Sequence, residues 1–194
     1  MKGLTDISGI RVGHATNLDA ITGCTVVLFG DAAVAGYDVR GSASGTAEFF
    51  VMDPGHIAGR VHAICLAGGS AFGLDAGTGV RNYLERRGVG FKTSHARVPI
   101  VPAAILYDLG IGKSGVRPNA EMGALACEAA TDYAVLEGAV GAGTGATVGK
   151  ALGAERAMKS GIGSATVKLG GEHEGVLVSA LAAVNAYGDV KDPA

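Results

Sequence analysis

Two polar side chains, Asn185 and Lys150, lie beside stretches of small and apolar residues. Asn185 ends the apolar run 176–184, where an amide is costly to bury unless its donors and acceptors are paired. An amide at the end of a core strand can donate to the oxygen that becomes negative when a carbonyl carbon is attacked. Asn185 is therefore a candidate oxyanion donor, and a turn residue at a strand end is the alternative.

Lys150 ends the glycine-rich segment 141–150, which has some features of a phosphate-binding loop. A P-loop requires GxxxxGK followed by Ser or Thr, because that hydroxyl holds the magnesium ion. Here Thr144 occupies the position of the first glycine, and Ala151 follows the lysine. Nucleotide binding is thus weakly supported. Lys150 is either a solvated surface lysine or a lysine that its loop places within reach of a site.

A second glycine-rich segment, 68–73, lies between a predicted strand and a predicted helix, where backbone amides can face an anionic group. Its spacing is not GxGxxG, and Phe72 occupies the closing glycine position of a G-x-S-x-G elbow. The segment therefore has neither a dinucleotide nor a serine-hydrolase signature. Asp75 and Asp108 adjoin apolar segments, and each could serve a site, cap a helix or lie at the surface.

Metal and cofactor sites are unsupported by the spacing of the usual ligands. The five histidines form no HxxH or HExxH pair, and the three cysteines form no CxxC pair. We expect no metal and no cofactor. The cysteines are scattered along the chain, and the N-terminal residues show no apolar signal-peptide segment. We therefore expect reduced, buried thiols in a cytoplasmic protein.

Composition predicts one globular domain over residues 1–194. Apolar residues make up 48% of the chain, charged residues 18%, and the formal net charge is -2. Without a long basic run or a long apolar span, neither nucleic acid nor a membrane is an expected partner. The 33 glycines among small aliphatic residues indicate close backbone packing and many tight turns.

Local patterns predict both strands and helices. β-branched and apolar runs indicate strands at 20–30, 34–40, 61–67 and 103–109, and a hairpin of 165–169 with 176–185 around the turn 170–175. Helical spacing indicates one helix over 72–87 and a second capped by Asn119, with Met122, Leu125, Ala126, Ala129 and Tyr133 on its inner side. Strands and helices do not alternate regularly, which favours an α+β fold.

Taken together, six segments resemble the DmpA-like aminopeptidases (peptidase family S58), whose members include β-peptidyl aminopeptidases and the nylon-oligomer hydrolase. They are VGHAT (12–16), TGCTVV (22–27), CLAGGSAFGL (65–74), VPIVPAA (98–104), GAGTGATVGK (141–150) and AVN (183–185). The resemblance implies a four-layer αββα sandwich with layering like that of Ntn hydrolases. It also implies a precursor that cuts itself into an α chain, matched here, and a β chain that begins with a Ser or Thr nucleophile.

The resemblance implies roles for individual residues. Asn185 matches an oxyanion donor and Lys150 a lysine of the catalytic cluster, whereas Phe72 falls where several members have a tyrosine. Phe72, Gly68, Gly69 and Asp75 are then candidate substrate contacts. The family cuts after Asn or Gly, which residues 192–194 do not match, so we expect the cut further along the chain.

The expected function is hydrolysis of a small peptide or amide, by an aminopeptidase or an ω-amino-oligomer hydrolase. The implied partners are the β chain and further copies of the α–β unit, as a tetramer. A relative that has lost its chemistry and binds a small molecule is the alternative, because a phenyl ring at Phe72 cannot donate to an oxyanion.

Overall fold

The computed structural model describes residues 1–191 of the chain, as helices and strands joined by many short turns. The two α-helices are α1 (Asp75–Glu85) and α2 (Ala120–Glu128). The strands are β1 (Ile10–Asn17), β2 (Thr22–Ala33), β3 (Thr46–Ala47), β4 (Val61–Ala67), β5 (Phe91–Lys92), β6 (Arg97–Val98), β7 (Ala103–Ile105), β8 (Thr147–Val148), β9 (Met158–Lys159), β10 (Ile162–Lys168) and β11 (Leu177–Ala183).

Five of these strands form one mixed sheet in the order β1-β2-β4-β7-β3. β2 pairs antiparallel with β1 and β4, while β4 and β7 run parallel. Pairs β5–β6, β8–β9 and β10–β11 form separate two-stranded ladders. Antiparallel pairing of β10 with β11 confirms the predicted hairpin, and it carries the chain directly to Asn185.

Both helices pack on one face of the sheet. Alternate residues of β2 and β4, among them Val26 and Cys65, join Val80 of α1 and Ala126 of α2 in one buried cluster. The period-two alternation of strand side chains sends these residues to the helix-covered face. The α+β fold class predicted from the sequence is thus confirmed, and the core is aliphatic as its composition indicated.

The second helix begins where its capping residue predicted. The Asn119 side chain accepts a 3.0 Å hydrogen bond from the backbone N–H of Met122, as an N-cap residue does. The predicted inner face was partly wrong, because Leu125 and Tyr133 are 49% and 73% exposed. Small residues such as Gly123 fit where α2 packs closely against α1.

The predicted strand at 34–40 is also wrong, since this segment has no regular secondary structure. Both edges of the preceding strand, β2, are already paired, with β1 and with β4, so the sheet offers no free edge beside it. Tyr37 instead packs edge-on against Phe49, with ring centroids 5.5 Å apart. The predicted strand at 103–109 is shorter than expected and ends at Ile105, before the buried Asp108.

The close crossing of the helices makes Gly123 a sensitive position. A β-carbon there would collide with the Ala76 carbonyl oxygen. We expect Gly123→Ala to lower the free energy of unfolding by about 1–3 kcal/mol through overpacking. That cost exceeds the gain of about 0.5–1 kcal/mol that alanine gives inside a helix. Denaturant unfolding measures the change, and Gly163→Ala is the control because its β-carbon would meet no atom within 4 Å. Equal stability of the two variants would contradict the tight crossing.

Neither α-helix among residues 1–191 has the length and apolar character needed to cross a lipid bilayer. Residues 192–194, beyond which we expected the cleavage point, lie outside the residues that the structure describes.

Candidate active site

Lys150 and Asn185, 35 residues apart in sequence, form the centre of a polar cluster. The Lys150 ammonium nitrogen lies 2.9 Å from Asn185 Oδ1 and 3.2 Å from the Asn185 carbonyl oxygen. It also lies 2.7 Å from the Thr147 carbonyl oxygen and 3.1 Å from Thr147 Oγ1. Three ammonium protons therefore face four oxygens, so the charged form is fully solvated by protein groups.

This geometry orients the Asn185 amide. Its Oδ1 accepts from Lys150 and from the backbone N–H of Thr147, at 3.0 Å. Its Nδ2 donates to the Tyr107 carbonyl oxygen at 2.9 Å. Because two donors face the oxygen, the amide is held with its nitrogen on the Tyr107 side. Within residues 1–191 the second Nδ2 proton has no acceptor, so it remains able to donate to a ligand.

Local backbone structure places Lys150. β8 ends at Val148, and Gly149 turns the chain with φ of 75°, a left-handed conformation that favours glycine. The segment after β11 returns alongside this turn, because the N–H groups of Gly149 and Ala151 donate to the carbonyls of Gly188 and Tyr187. Burial lowers the pKa of Lys150 from its ordinary value.

A cavity of about 300 Å³ opens beside the cluster. Polar residues line part of its wall, and Ile111, Ala154 and Ala157 supply apolar surface. The polar lining comprises Tyr107, Asp108, Thr147, Lys150 and Lys159. A recess with an apolar wall and a few convergent polar groups is typical of a small-molecule site.

Asp108 is a buried carboxylate at the inner wall of this cavity, with 5% of its surface exposed. Its two oxygens accept hydrogen bonds from Thr22 Oγ1 at 2.7 Å and from the Gly69 N–H at 2.6 Å. Asp108 therefore ties the turn at 68–70 to the cavity wall. Gly68 and Gly145 leave room for it, because a β-carbon at either would collide with Asp108 Oδ2.

We expect Asp108→Asn to lower the free energy of unfolding by about 1–3 kcal/mol. An asparagine amide is neutral: with its oxygen on the Gly69 N–H, its NH₂ can bond the Thr22 hydroxyl only if that hydroxyl reverses to accept, and both charge-assisted bonds become weaker neutral ones. Thermal unfolding of the variant measures the loss. The exposed Asp38 provides the control Asp38→Asn, and a loss no larger than the control's would show that the two bonds contribute little.

The other residues predicted to contact substrate serve the framework in this structure. The Gly68 and Gly69 amides donate to the Gly23 carbonyl and to Asp108, respectively. Asp75 Oδ2 accepts from the Ala120 N–H at 3.0 Å, at the start of α2. Phe72 is 58% exposed, and the Arg117 guanidinium lies over its ring at 3.9 Å. None of the four lines the cavity beside Lys150, and their role as substrate contacts remains a prediction.

Tyr107 is a cavity residue that sequence reasoning missed. It lines the cavity with Lys150 and accepts from Asn185 through its carbonyl oxygen. The sequence offered only a tyrosine near the end of a predicted strand. Phe72 does not line this cavity, and the alternative of a relative that has lost its chemistry stays a prediction.

The first backbone N–H groups of the glycine-rich segment 141–150 form hydrogen bonds within the chain. The Gly141 and Ala142 N–H groups donate to Thr16 Oγ1 and Thr25 Oγ1, at 2.8 and 3.0 Å. They are thus directed away from any bound phosphate, which further weakens the nucleotide-binding interpretation. Among residues 1–191 no cluster of three or more His, Cys, Asp or Glu side chains could hold a metal ion.

Known proteins are similar to this chain in sequence and in fold. The profile of peptidase family S58 matches residues 2–192. An uncharacterized aminopeptidase of Mycobacterium leprae is 42% identical over the whole chain, which covers 55% of that relative. The 6-aminohexanoate-oligomer endohydrolase of Kocuria sp. is 33% identical over 97% of the chain and 49% of its own length. The chain thus spans about half the length of the curated relatives it matches.

The fold of a solved Ochrobactrum anthropi enzyme is also similar. This L-aminopeptidase D-Ala-esterase/amidase, a variant of the Ntn-hydrolase fold, has a TM-score of 0.76 and is 18% identical. The match covers 97% of this chain and 54% of the other, and it confirms the predicted fold at the level of architecture. With the family profile matched from residue 2 to residue 192, this chain belongs to peptidase family S58.

Proposed function

We propose that this chain is the α part of an amide hydrolase whose nucleophile is an N-terminal Ser or Thr on a companion β chain. The companion arises when the precursor cuts itself. An N-terminal residue supplies its hydroxyl as the nucleophile and its own α-amine, whose pKa is near neutral, as the base. Family membership and the relatives' names support amide hydrolysis.

Asn185, Lys150 and Tyr107 have distinct roles in this proposal. The hydroxyl attacks the substrate carbonyl, and the second Nδ2 proton of Asn185 donates to the oxyanion that forms. Lys150 holds the Asn185 amide in orientation and sets the positive potential around the nucleophile's amine. Tyr107 forms the wall on which the acyl group rests.

The observation that carries the proposal is the 2.9 Å contact between Lys150 Nζ and Asn185 Oδ1. A cation held on the oxygen polarises the amide, which makes its remaining N–H a stronger donor. The cavity beside this donor has the size and the mixed lining that a small amide requires.

The wider assembly follows from the same family likeness. We propose that residues 1–194 form a single domain of a tetramer of α–β units. The three cysteines are free and buried, which suits a cytoplasmic protein.

Hydrolysis of small amides by the complete protein tests the proposed function. The substrates are a 6-aminohexanoate oligomer, a β-peptide and an α-peptide, each followed by the appearance of free amine. We expect turnover of at least one. An undetectable rate on all three, from a folded protein, would count against amide hydrolysis.

A further inference from the structure

The glycine-rich segment 141–150 is held at its start by a pair of side chains on the sheet. His14 and Thr25 lie directly opposite each other on β1 and β2, and 2.9 Å separates His14 Nδ1 from Thr25 Oγ1. Thr25 is fully buried, and its Oγ1 also accepts the Ala142 N–H at 3.0 Å. A β-carbon at Gly141 would collide with both side chains, so the segment packs tightly against the pair.

The hydrogen bonds of the pair indicate which nitrogen of His14 carries the proton. The Thr25 hydroxyl has one proton, and His14 Nδ1 is the acceptor within its reach. If Nδ1 carried the ring proton instead, the Thr25 hydroxyl proton and His14 Nε2 would both lack partners. The neutral ring with its proton on Nε2 therefore satisfies more groups. That Nε2 is buried and has no hydrogen-bond partner within residues 1–191.

A second proton on the His14 ring would have no suitable partner. The cation carries N–H groups on both nitrogens, so Nδ1 could no longer accept from Thr25, and the buried Nε2–H would stay unpaired. Burial accordingly lowers the pKa of His14 from its ordinary value. The charged ring is more stable when it turns out into water, and this movement takes it away from Thr25 and from the start of the segment.

The elements packed against β1 bring few charges to His14. Their titratable side chains are Arg11 on β1 itself, Cys24 and Asp31 on β2, Glu121, Cys127 and Glu128 on α2, and Asp6 in the turn Leu4–Asp6. Cys24 and α2 lie on the other side of the sheet, because Ala15, next to His14, belongs with them to the buried cluster. The turn Gly141–Gly143 carries no charged side chain. Among the described residues, His14 forms its one hydrogen bond with Thr25.

Hydrogen bonds connect this anchor to the polar cluster at the cavity. The Gly141 carbonyl oxygen accepts from the N–H of the buried Thr144 and, at 2.6 Å, from its Oγ1. Thr147 follows three residues later, and its two oxygens contact the Lys150 ammonium. The position of Lys150 is therefore tied to the place where the start of its segment is held.

We propose that His14 is a positioning residue, which in its neutral form anchors the start of the segment that carries Lys150 and on protonation releases it. This inference rests on the proposed function, because it takes Lys150 to be part of the catalytic site. His14 touches no substrate and acts through Thr25 and the segment 141–150. Acid should therefore loosen this segment before it unfolds the sheet.

Amide hydrogen exchange of the full-length protein tests the release without requiring hydrolysis. Protection of residues 141–146 is measured from about pH 7 to about pH 5, after correction for the intrinsic effect of pH on exchange. In the opened segment His14 has its ordinary pKa of about 6.5, above that of the closed form, so protons favour opening below this value. We expect protection to fall about tenfold over this range, while that of β2 and β4 stays constant.

Three variants test whether His14 is responsible. His14→Asn places an amide oxygen near the position of Nδ1, so it should keep the protection at neutral pH and lose the acid decline, because an amide does not titrate. His14→Leu removes the acceptor, and it should lower both protection at neutral pH and kcat by about tenfold. His95→Asn is the matched control, since His95 is exposed between β5 and β6. Protection of β2 and β4 shows whether each variant is folded.

The outcomes are distinct. An acid decline that is confined to residues 141–146 and absent in His14→Asn supports the proposal. The same decline in His14→Asn, or none in the unaltered protein, would overturn it. So would kcat of His14→Leu within about threefold of the unaltered enzyme, since misplacing a catalytic group costs more. An acid decline that depends on His14 in a protein that hydrolyses no amide would retain the anchor and reject the proposed function.

Discussion

The Asn185→Asp variant of the complete enzyme should have kcat lowered by about 10²–10³-fold, the usual cost of removing one oxyanion donor. Aspartate retains an oxygen for Lys150 and for the Thr147 N–H, so the cluster keeps its acceptor. It lacks the N–H groups that would face the oxyanion and the Tyr107 carbonyl. Steady-state kinetics on the best amide substrate measures the change.

A second substitution and a control make this result specific. Asn185→Ala should reduce kcat at least as much, with an additional loss of stability, because it leaves the Thr147 N–H without its acceptor. Asn82→Ala is the matched control on the exposed surface of α1. A loss below about threefold in Asn185→Asp, far short of the donor's expected effect, would remove Asn185 from the oxyanion role.

Lys150→Met should lower kcat by about 10²-fold, approaching the cost of removing the oxyanion donor that Lys150 orients. Methionine fills a similar volume but removes the cation from Asn185 Oδ1 and from the two Thr147 oxygens. The amide of Asn185 then loses both its orientation and its polarisation. Lys168→Met is the control, since Lys168 ends β10 and does not line the cavity. A kcat of Lys150→Met within about threefold of the unaltered enzyme would contradict the role, since losing an oriented oxyanion donor costs far more.

The pH dependence of kcat gives Lys150 a second signature. Burial lowers the pKa of Lys150, and the ammonium form is the one below that pKa. Activity should therefore fall as the pH rises through a value below that of an ordinary lysine. Lys150→Arg keeps its charge over this range, so its residual activity should lack that alkaline decline. An alkaline decline that is identical in Lys150→Arg would assign it to another group.

Much of the fold follows from local sequence signals. The hairpin of β10 and β11 and the start of α2 at Asn119 depend on turn residues and a capping side chain that act over a few positions. The segment 34–40 shows the limit of such signals. Its alternating pattern suits a strand, but pairing requires a free sheet edge, and that depends on strands distant in sequence.

The candidate site depends even more on tertiary contacts. Lys150 and Asn185 were singled out from their surroundings and the family likeness, but their direct contact requires the turn at Gly149 to meet the end of β11. Tyr107 carries no motif in its own segment. It becomes a candidate only because the fold places it at the cavity.

Intact mass spectrometry of the full-length precursor, with N-terminal sequencing of its products, tests the central claim most directly. The account predicts two chains, the second beginning with Ser or Thr, and predicts that amidase activity appears as the precursor is cut. Replacing that new N-terminal residue by alanine should abolish both cleavage and activity. A single uncut chain with full amidase activity would contradict the account.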